Sequence, residues 1–362
     1  MAQHGERVVP KNEMNRFMMD CLCKVGAEES HAKQLAEVLI EGDYRGHFSH
    51  GLNRLDMYVH DFEKHLCRPS GEPIILKEKA GTAWVDGNNL LGPVVGNFCI
   101  DLAIKKAKEA GVGWVVAKGS NHFGIAGWYS MRALKEGMMG LSFTNTSPIM
   151  FPTRAAKAAL GTNPLSLAAP GNGCDSFVLD MATTTVAVGK IEIAARKEMK
   201  VPESWGVSEG GATSTDPEKI LRGGGLLPVG GAELSGGYKG YGMAALVEIF
   251  CGILGGAKWG PNVRKWMSAS EDANLGQCFI AVDPEAFAPG FTDRMQELMD
   301  TLRSLPEAEV GNSVEVAGDV ERRHTVLCDR LGGIPYHPNQ IKFANDLAER
   351  LGVEKPRILS EL

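Results

Sequence analysis

The sequence has no long hydrophobic run. Its longest apolar stretch, residues 243–254, contains Glu248 and is too short to span a bilayer. It also has no recognisable secretory signal, since its N-terminus is charged and polar through Arg16. We therefore expect a soluble, cytoplasmic protein that has no membrane partner.

Blocks of basic residues and clusters of cysteine are missing as well. The net charge is −6, which argues against a nucleic-acid partner. The chain has eight cysteines, and the only close pair, Cys21 and Cys23, lies on a predicted helix. Successive helical side chains point in different directions, so this pair predicts neither a disulfide framework nor a zinc ribbon. Reduced, buried thiols are the expected state.

The pattern along the 362 residues predicts a mixed α/β protein of roughly two domains. In the first seventy residues, helical spacing of apolar side chains predicts helices. They cover about 14–25, 30–41 and 49–66. Between about 78 and 255, strands alternate with helices. The predicted strands are 82–86, 112–117, 139–145, 165–169 and 176–180, and the predicted helices are 94–110, 125–136 and 183–199.

The remainder of the chain, from residue 201 onward, is predicted to be irregular at first and then mainly helical. Residues 201–238 are rich in glycine and form a long loop, and such loops are usually functional or mobile. After a helix that begins near Met243, the pattern predicts one strand at 278–282 and helices at 292–305 and 338–351.

The segment Lys118–Gly124 carries the most informative polar cluster. It follows a short apolar strand and precedes a helix, the position at which open α/β sheets bind ligands. His122 in this loop can accept or donate a proton near neutral pH. The alternative is that His122 caps the helix or bonds a neighbouring carbonyl group. We favour the functional interpretation.

A second polar cluster lies at Arg45–Arg54. On a helix His50 and Arg54 would share a face, because they are four residues apart. Arginine can bind a carboxylate through two hydrogen bonds, so the pair suits a small hydroxy or keto acid. Alternatively, His47 and His50 form half of a metal site, or the charges are simply solvated. The segment Arg45–Arg54 itself contains no acidic or cysteine residue, so we predict no metal.

The sequence has no Gly-x-Gly-x-x-Gly fingerprint for a dinucleotide. Gly111-Val-Gly113 lacks the third glycine and precedes a strand instead of following one. Residues 236–242 offer a substitute, because glycines at a helix start let backbone N–H groups approach a phosphate. Lys239 adds a charge there, although the segment is also typical of a flexible lead-in to a helix. Asp180 follows an apolar strand, where it could cap a helix or bind ribose.

Together, five segments resemble the malate/L-lactate dehydrogenase family. They occur in this sequence in the same order and with approximately the same spacing as in that family. They are Ser49–Arg54, Ser120–Gly124, Gly161–Pro164, Asp180–Ala182 and Tyr238–Gly240. The resemblance runs from about residue 10 to about residue 350 and is strongest to malate dehydrogenase members. The family is distinct from the Rossmann-type malate and lactate dehydrogenases, and it also includes sulfolactate and ureidoglycolate dehydrogenases.

The resemblance implies a non-Rossmann oxidoreductase that uses NAD, with NADP as the alternative. A helical domain would be built from both chain ends, residues 1–77 with 256–362. Residues 78–255 would form a mixed-sheet domain that binds NAD(P). The family is typically homodimeric, with the active site in the cleft between the domains.

The resemblance also assigns roles to individual residues. His122 and His50 correspond to acid–base histidines, and we favour His122 as the base, because it lies at a strand end. Ser49 would assist His50, and Arg54 would hold the substrate carboxylate. The residues that would contact the dinucleotide are Thr146, Asp180, Met181, Ala182 and Lys239, with Gly318 and Asp319 from a weaker match.

The implied reaction is reversible hydride transfer between NAD(P)H and a small 2-keto acid, with malate and oxaloacetate as the leading pair. Arg154 stands where many relatives have a Gly-Gly pair, and it could meet the distal carboxylate of malate, contact the cofactor or lie on the surface. The alternatives are another 2-hydroxy acid or a cyclic imine as substrate. Further alternatives are a non-catalytic binding protein on the same fold and a metal-dependent hydrolase.

Overall fold

The computed structural model describes residues 5–196, 198–265, 268 and 271–361. Its helices are α1 (Lys11–Lys24), α2 (Glu29–Tyr44), α3 (Leu55–Glu63), α4 (Gly92–Ala110), α5 (Gly127–Leu134), α6 (Val188–Arg196), α7 (Pro217–Leu221), α8 (Gly237–Glu248), α9 (Phe291–Arg303), α10 (Asp319–Leu331) and α11 (Pro338–Leu351). A π-helical turn, Ile249–Ile253, continues α8.

The strands form one large mixed sheet and two small sheets. They are β1 (Arg7–Val9), β2 (Ile74–Glu78), β3 (Thr82–Asp86), β4 (Val112–Ser120), β5 (Met139–Thr144), β6 (Leu165–Pro170), β7 (Ser176–Met181), β8 (Gly206–Val207), β9 (Gly225–Leu226), β10 (Leu275–Val282), β11 (Ile334–Tyr336) and β12 (Ser360–Glu361). The large sheet has the order β2-β3-β4-β10-β5-β6-β7. Only β3 and β4 run parallel, and the other neighbouring strands are antiparallel. This confirms the predicted mixed α/β fold.

The two ends of the chain meet in the small sheet β11-β1-β12. There β1 pairs antiparallel with both β11 and β12. Around it, α1, α2, α3 and α11 bury their apolar stripes in one continuous core, which also includes α4 and one face of the large sheet. Burial of these stripes drives the association of the helices with the sheet. The helical layer therefore includes both ends of the chain.

Strand β10 belongs to the sheet, although its sequence lies among predicted helices. The predicted division puts residues 256–362 with the helical domain, yet β10 lies between β4 and β5 at the centre of the sheet. Seven of its eight residues are buried, which suits a central strand covered on both faces. The division into domains stays a prediction, but this strand lies in the sheet.

Two predicted helices begin later than expected. The predicted helix 49–66 starts at Leu55, because Gly51 has a non-helical backbone conformation between two short 3₁₀ turns (φ −103°, ψ −127°). The predicted helix 183–199 starts at Val188. Its first residues are instead bonded to other segments: the Thr185 N–H donates to the Leu227 carbonyl at 2.9 Å. The expectation that His50 and Arg54 share one helical face is therefore wrong.

Among the described residues, no helix combines the length and apolar character needed to cross a membrane.

Candidate active site

The loop after β4 holds His122 in a fixed position. The Asn121 side chain donates to the Leu90 carbonyl at 2.9 Å and to Asn89 Oδ1 at 3.0 Å. Ser120, the last residue of the strand, donates to Gln277 Oε1 at 2.8 Å. The two residues before His122 are thus bonded to neighbouring elements, so its imidazole is presented from a rigid strand end.

The loop before α3 is fixed by a buried carboxylate. Asp43 Oδ2 accepts hydrogen bonds from the Leu52 N–H and the Tyr336 hydroxyl group, both at 2.8 Å. Inside the loop, Arg54 Nε donates to the Ser49 carbonyl at 2.7 Å. Asp43 therefore connects α2, this loop and β11, and it determines where Ser49 and Arg54 lie.

The two loops bring both predicted acid–base histidines together. The rings of His50 and His122 are stacked, with 5.9 Å between their centroids and an interplanar angle of 17°. Ser49 Oγ lies 2.9 Å from His50 Nδ1. The Tyr58 hydroxyl group lies 2.5 Å from His122 Nδ1. Each imidazole is thus held at Nδ1.

Both histidines are neutral at neutral pH. Burial, together with the nearby charges of Arg54 and His47, lowers the pKa of His50 to about 4. Burial also lowers the pKa of His122 well below its ordinary value, helped by His50, Arg54 and Arg264. Burial raises the pKa of Tyr58, so its hydroxyl group stays protonated. A neutral imidazole can accept a proton, as a general base must.

His50 and His122 line one cleft with a volume of about 400 Å³. Its walls come from the two loops, from β7 and from the segment that leads into α6. The cleft brings together most of the site residues that the sequence predicted. They are Ser49, His50, Arg54, His122, Thr146, Asp180, Met181 and Ala182.

Asp180 is the acidic group of this cleft. Its Oδ2 accepts a hydrogen bond from the Gly127 N–H, the first of α5, at 2.7 Å. Burial raises the pKa of Asp180, whereas the charges of His47 and Arg45 oppose this effect. His47 lines the same cleft, and its Nε2 lies 3.4 Å from Glu321. Among the described residues, no group of three or more His, Cys, Asp or Glu side chains could hold a metal ion.

Thr146 is held at the cleft by a buried polar network. Its N–H donates to Asn163 Oδ1 at 3.1 Å. The Asn163 amide group in turn donates to Glu248 Oε2 at 2.7 Å, and Asn145 donates to Glu248 Oε1 at 2.8 Å. Glu248 is buried on α8. This helix therefore supports the loop that carries Thr146.

Other predicted site residues lie outside the cleft. Lys239 is exposed on α8. Arg154 forms an ion pair with Glu233 at 2.6 Å, and 79% of its side chain is exposed. Gly318 precedes α10, and Asp319 is bonded to Arg303 at 2.8 Å. Neither Arg154 nor Asp319 lines the cleft of its own chain.

Two residues of the site were missed in the sequence. Tyr58 follows Arg54 by four residues, so helical spacing could have indicated it. Lys190 lines the cleft on α6, with its Nζ 5.8 Å from the centre of the Trp205 ring. Its sequence context has no distinguishing motif.

Comparison with known proteins agrees with this geometry. The model of the malate/L-lactate dehydrogenase family matches residues 9–343. The chain is 38% identical over 350 residues to a malate dehydrogenase of Pyrococcus horikoshii, covering 96% of each chain. It is 38% identical over 346 residues to an L-sulfolactate dehydrogenase of Methanocaldococcus jannaschii, covering 95% of this chain and 97% of that one.

A solved structure shows the same fold. The malate dehydrogenase of Entamoeba histolytica has a TM-score of 0.91 to this chain at 31% identity, over 97% of this chain and all of that one. Relatives named as dehydrogenases match nearly the whole length, which confirms that this protein is an oxidoreductase enzyme and implies a nicotinamide cofactor. The chain belongs to the malate/L-lactate dehydrogenase family.

Proposed function

We propose that the protein transfers a hydride reversibly between a nicotinamide cofactor and a small 2-hydroxy acid, with malate and oxaloacetate as the substrate pair. One observation carries the proposal: neutral His122 lies in the same cleft as Arg54. Oxidation of a 2-hydroxy acid requires a base and a cation that binds the carboxylate, and this cleft contains both groups. The malate dehydrogenase relatives support the choice of malate.

In the oxidative direction, Arg54 orients the C1 carboxylate through its guanidinium group. His122 accepts the proton of the C2 hydroxyl group, while Tyr58 fixes the imidazole at Nδ1. The nicotinamide, when bound, supplies the hydride acceptor for C2. In the reductive direction, protonated His122 returns the proton to the keto oxygen. The cleft contributes by holding these groups in a reactive arrangement.

His50 and Ser49 have a supporting role in this proposal. The Ser49 hydroxyl group lies 2.9 Å from His50 Nδ1, so His50 presents Nε2 toward the substrate. There it can bond the carboxylate or the hydroxyl oxygen of the acid. Its ring is stacked on that of His122, and two positive imidazoles at this distance would repel each other. Only one of the two therefore carries the proton at a time.

The residues of the cleft fit a dinucleotide. Helix α6 begins at Val188 beside the cleft, and a helix start favours phosphate. Lys190 adds a positive charge on the same helix. Thr146, Asp180, Met181 and Ala182 offer hydroxyl, carboxylate and backbone groups for the remainder of the cofactor. We propose NAD, with NADP as the alternative.

We further propose a homodimer in which Lys239 of each subunit serves the cofactor in the cleft of the other. Lys239 lies outside its own cleft, and its helix continues into an exposed apolar surface. Ile249 is 54% exposed there, and Leu254 is 56% exposed. Light scattering should give twice the mass of one chain. A monomer at micromolar concentration would contradict the proposal.

We propose a cytoplasmic location. All eight cysteines are free thiols, and such thiols are typical of a reducing compartment.

The direct test follows the NADH absorbance band. Purified protein is mixed with NADH or NADPH and with oxaloacetate, pyruvate, 3-sulfopyruvate or a cyclic imine. We expect the fastest oxidation with oxaloacetate, and the same assay shows which cofactor is preferred. Faster oxidation with another acid would replace malate by that substrate. Tight NADH binding without turnover would favour the non-catalytic alternative, and loss of cofactor binding would overturn the proposal.

The two directions of the reaction should respond to pH in opposite ways. Oxidation needs neutral His122, whose pKa lies well below its ordinary value. We therefore expect kcat/KM for malate to stay level as the pH falls from about 8 to about 6. Reduction needs the protonated form, so kcat/KM for oxaloacetate should rise over this range. An acid limb for malate oxidation near pH 7 would contradict this assignment.

A further inference from the structure

Helix α3 aligns three functional side chains in one row. Arg54 at its start, Tyr58 and Asp61 follow each other at i, i+4 and i+7, which places them on one face. Tyr58 contacts His122 at 2.5 Å. Asp61 Oδ2 accepts from Arg264 Nη2 at 3.0 Å. The helix therefore places Arg54, the contact to His122 and the ion pair with Arg264 one after another along the same face.

The second arginine faces a cavity of about 220 Å³ that opens beside His122. His122, Thr146 and Ser147 line both this cavity and the main cleft. Asp61 and Arg264 line its other part, and their side chains are only 13% and 12% exposed. A space thus leads from His122 to a buried cation, and Arg54 does not line it.

Arg264 is close enough to the reacting centre to act on it. Its positive charge is one of those that lower the pKa of His122. A guanidinium group has five N–H donors, so it can serve Asp61 and a second anion together. Arg303 of this protein does so, with Asp175 at 2.6 Å and Asp319 at 2.8 Å. The ion pair with Asp61 therefore leaves Arg264 able to bind a substrate.

The spacing also suits a substrate that has an acidic group at each end. Arg54 and Asp61 are seven residues apart on α3, which is about 10 Å along the helix axis. Tyr58, whose hydroxyl group contacts His122, lies between them along the helix. A four-carbon diacid that reacts at C2 needs one cation on each side of that carbon. Pyruvate ends in a methyl group and would not reach Arg264.

We propose that Arg264 determines specificity by binding the distal acidic group of a 2-keto diacid, while Arg54 binds its C1 carboxylate. Asp61 is a positioning residue that holds the Arg264 guanidinium group. Arg154, which the sequence suggested for this role, is paired with Glu233 on the surface. The inference rests on the proposed function, because it names the part of that site that selects the substrate.

The test compares oxaloacetate with pyruvate in Arg264→Gln. We expect kcat/KM for oxaloacetate to fall at least about 100-fold, since a charged hydrogen-bonding partner is lost. The value for pyruvate should fall by less than about 3-fold. Arg222→Gln is the matched control, because Arg222 lies exposed on the surface in an ion pair with Glu218. Its values should equal those of the wild type.

A second variant separates loss of substrate binding from loss of folding. Arg264→Gln leaves Asp61 as a buried carboxylate without its cation, which destabilises proteins. Arg264→Gln/Asp61→Asn removes both charges, and we expect the same selective loss. Equal losses for both substrates, or none, would overturn the proposal. A selective loss of oxaloacetate in Arg154→Gln instead would also overturn it.

Failure of the proposed function can be distinguished from failure of this inference. If the wild type reduces no 2-keto acid, the proposed function is wrong. Calorimetry with succinate and propionate, in the presence of NADH, then still tests Arg264. We expect succinate to bind at least about 10-fold more tightly than propionate, and this preference should vanish in Arg264→Gln. Equal affinities in the wild type would overturn the inference.

Discussion

Replacing His122 by alanine should lower kcat for malate oxidation by about 10²–10⁴-fold, the range expected when a general base is removed. The imidazole is neutral, held at Nδ1 by Tyr58 and directed into the cleft. Steady-state kinetics at saturating malate measure the loss. NADH titration should show unchanged cofactor affinity, because the change removes only the base.

His50→Ala is the matched comparison, since His50 lies in the same cleft with its ring stacked on that of His122. We expect a smaller loss in kcat and a higher KM, because His50 contacts the substrate without taking its proton. The acid limb of malate oxidation, which we expect below about pH 6, should disappear in His122→Ala and persist in His50→Ala. If it disappears only in the latter, the two roles are exchanged.

Local sequence was enough to locate the polar residues that meet in the cleft. His122 follows a buried strand, and Arg54 and His50 lie in one short polar segment, so neighbouring residues in the chain already indicate a site. The contact between Tyr58 and His122 joins residues 64 positions apart. This contact forms only because α3 packs against the end of β4, and local sequence patterns do not predict packing between distant segments.

Lys239 and Arg154 were predicted to be site residues, but neither lines the cleft of its own chain. Lys239 lies in a glycine-rich segment, which predicts phosphate binding, and Arg154 stands where many relatives have a Gly-Gly pair, which suggested a contact to the substrate carboxylate. In the structure, Arg154 forms an ion pair with Glu233, and Lys239 is exposed on α8. Whether a cation faces a cleft depends on the tertiary structure, and for Lys239 it depends on the proposed second subunit as well.

Helices and strands were predictable where burial of one face gives the sequence a regular spacing of apolar residues. Strands β3 and β4 and helix α4 were predicted close to their observed bounds, because their buried faces give a regular spacing of apolar residues. Strand β2 was missed, since all five of its residues are exposed at the sheet edge. The pairing of β10 between β4 and β5 was also beyond prediction, because it joins segments more than 100 residues apart.

Gly51→Ala should destabilise the protein and distort the catalytic loop. A Cβ atom at this position would lie 1.9 Å from Asp43 Oδ1. Asp43 cannot turn away freely, because the Leu52 N–H and the Tyr336 hydroxyl group both bond its other oxygen. Overpacking of this kind costs about 1–3 kcal/mol, and a lost bond to the buried carboxylate adds about 1–3 kcal/mol. The midpoint of urea unfolding measures the loss.

Two companion variants isolate this contact. Gly242→Ala lies on α8, where an added Cβ meets nothing within 4 Å, so we expect it to be neutral or stabilising. In an Asp43→Ala background the clashing carboxylate is absent, and Gly51→Ala should then cost much less than in the wild type. If the cost is the same in both backgrounds, Asp43 is not the group that requires glycine here. If the cost falls as expected, the loop that carries His50 and Arg54 is positioned by one buried carboxylate, and activity should decline together with stability in Gly51→Ala.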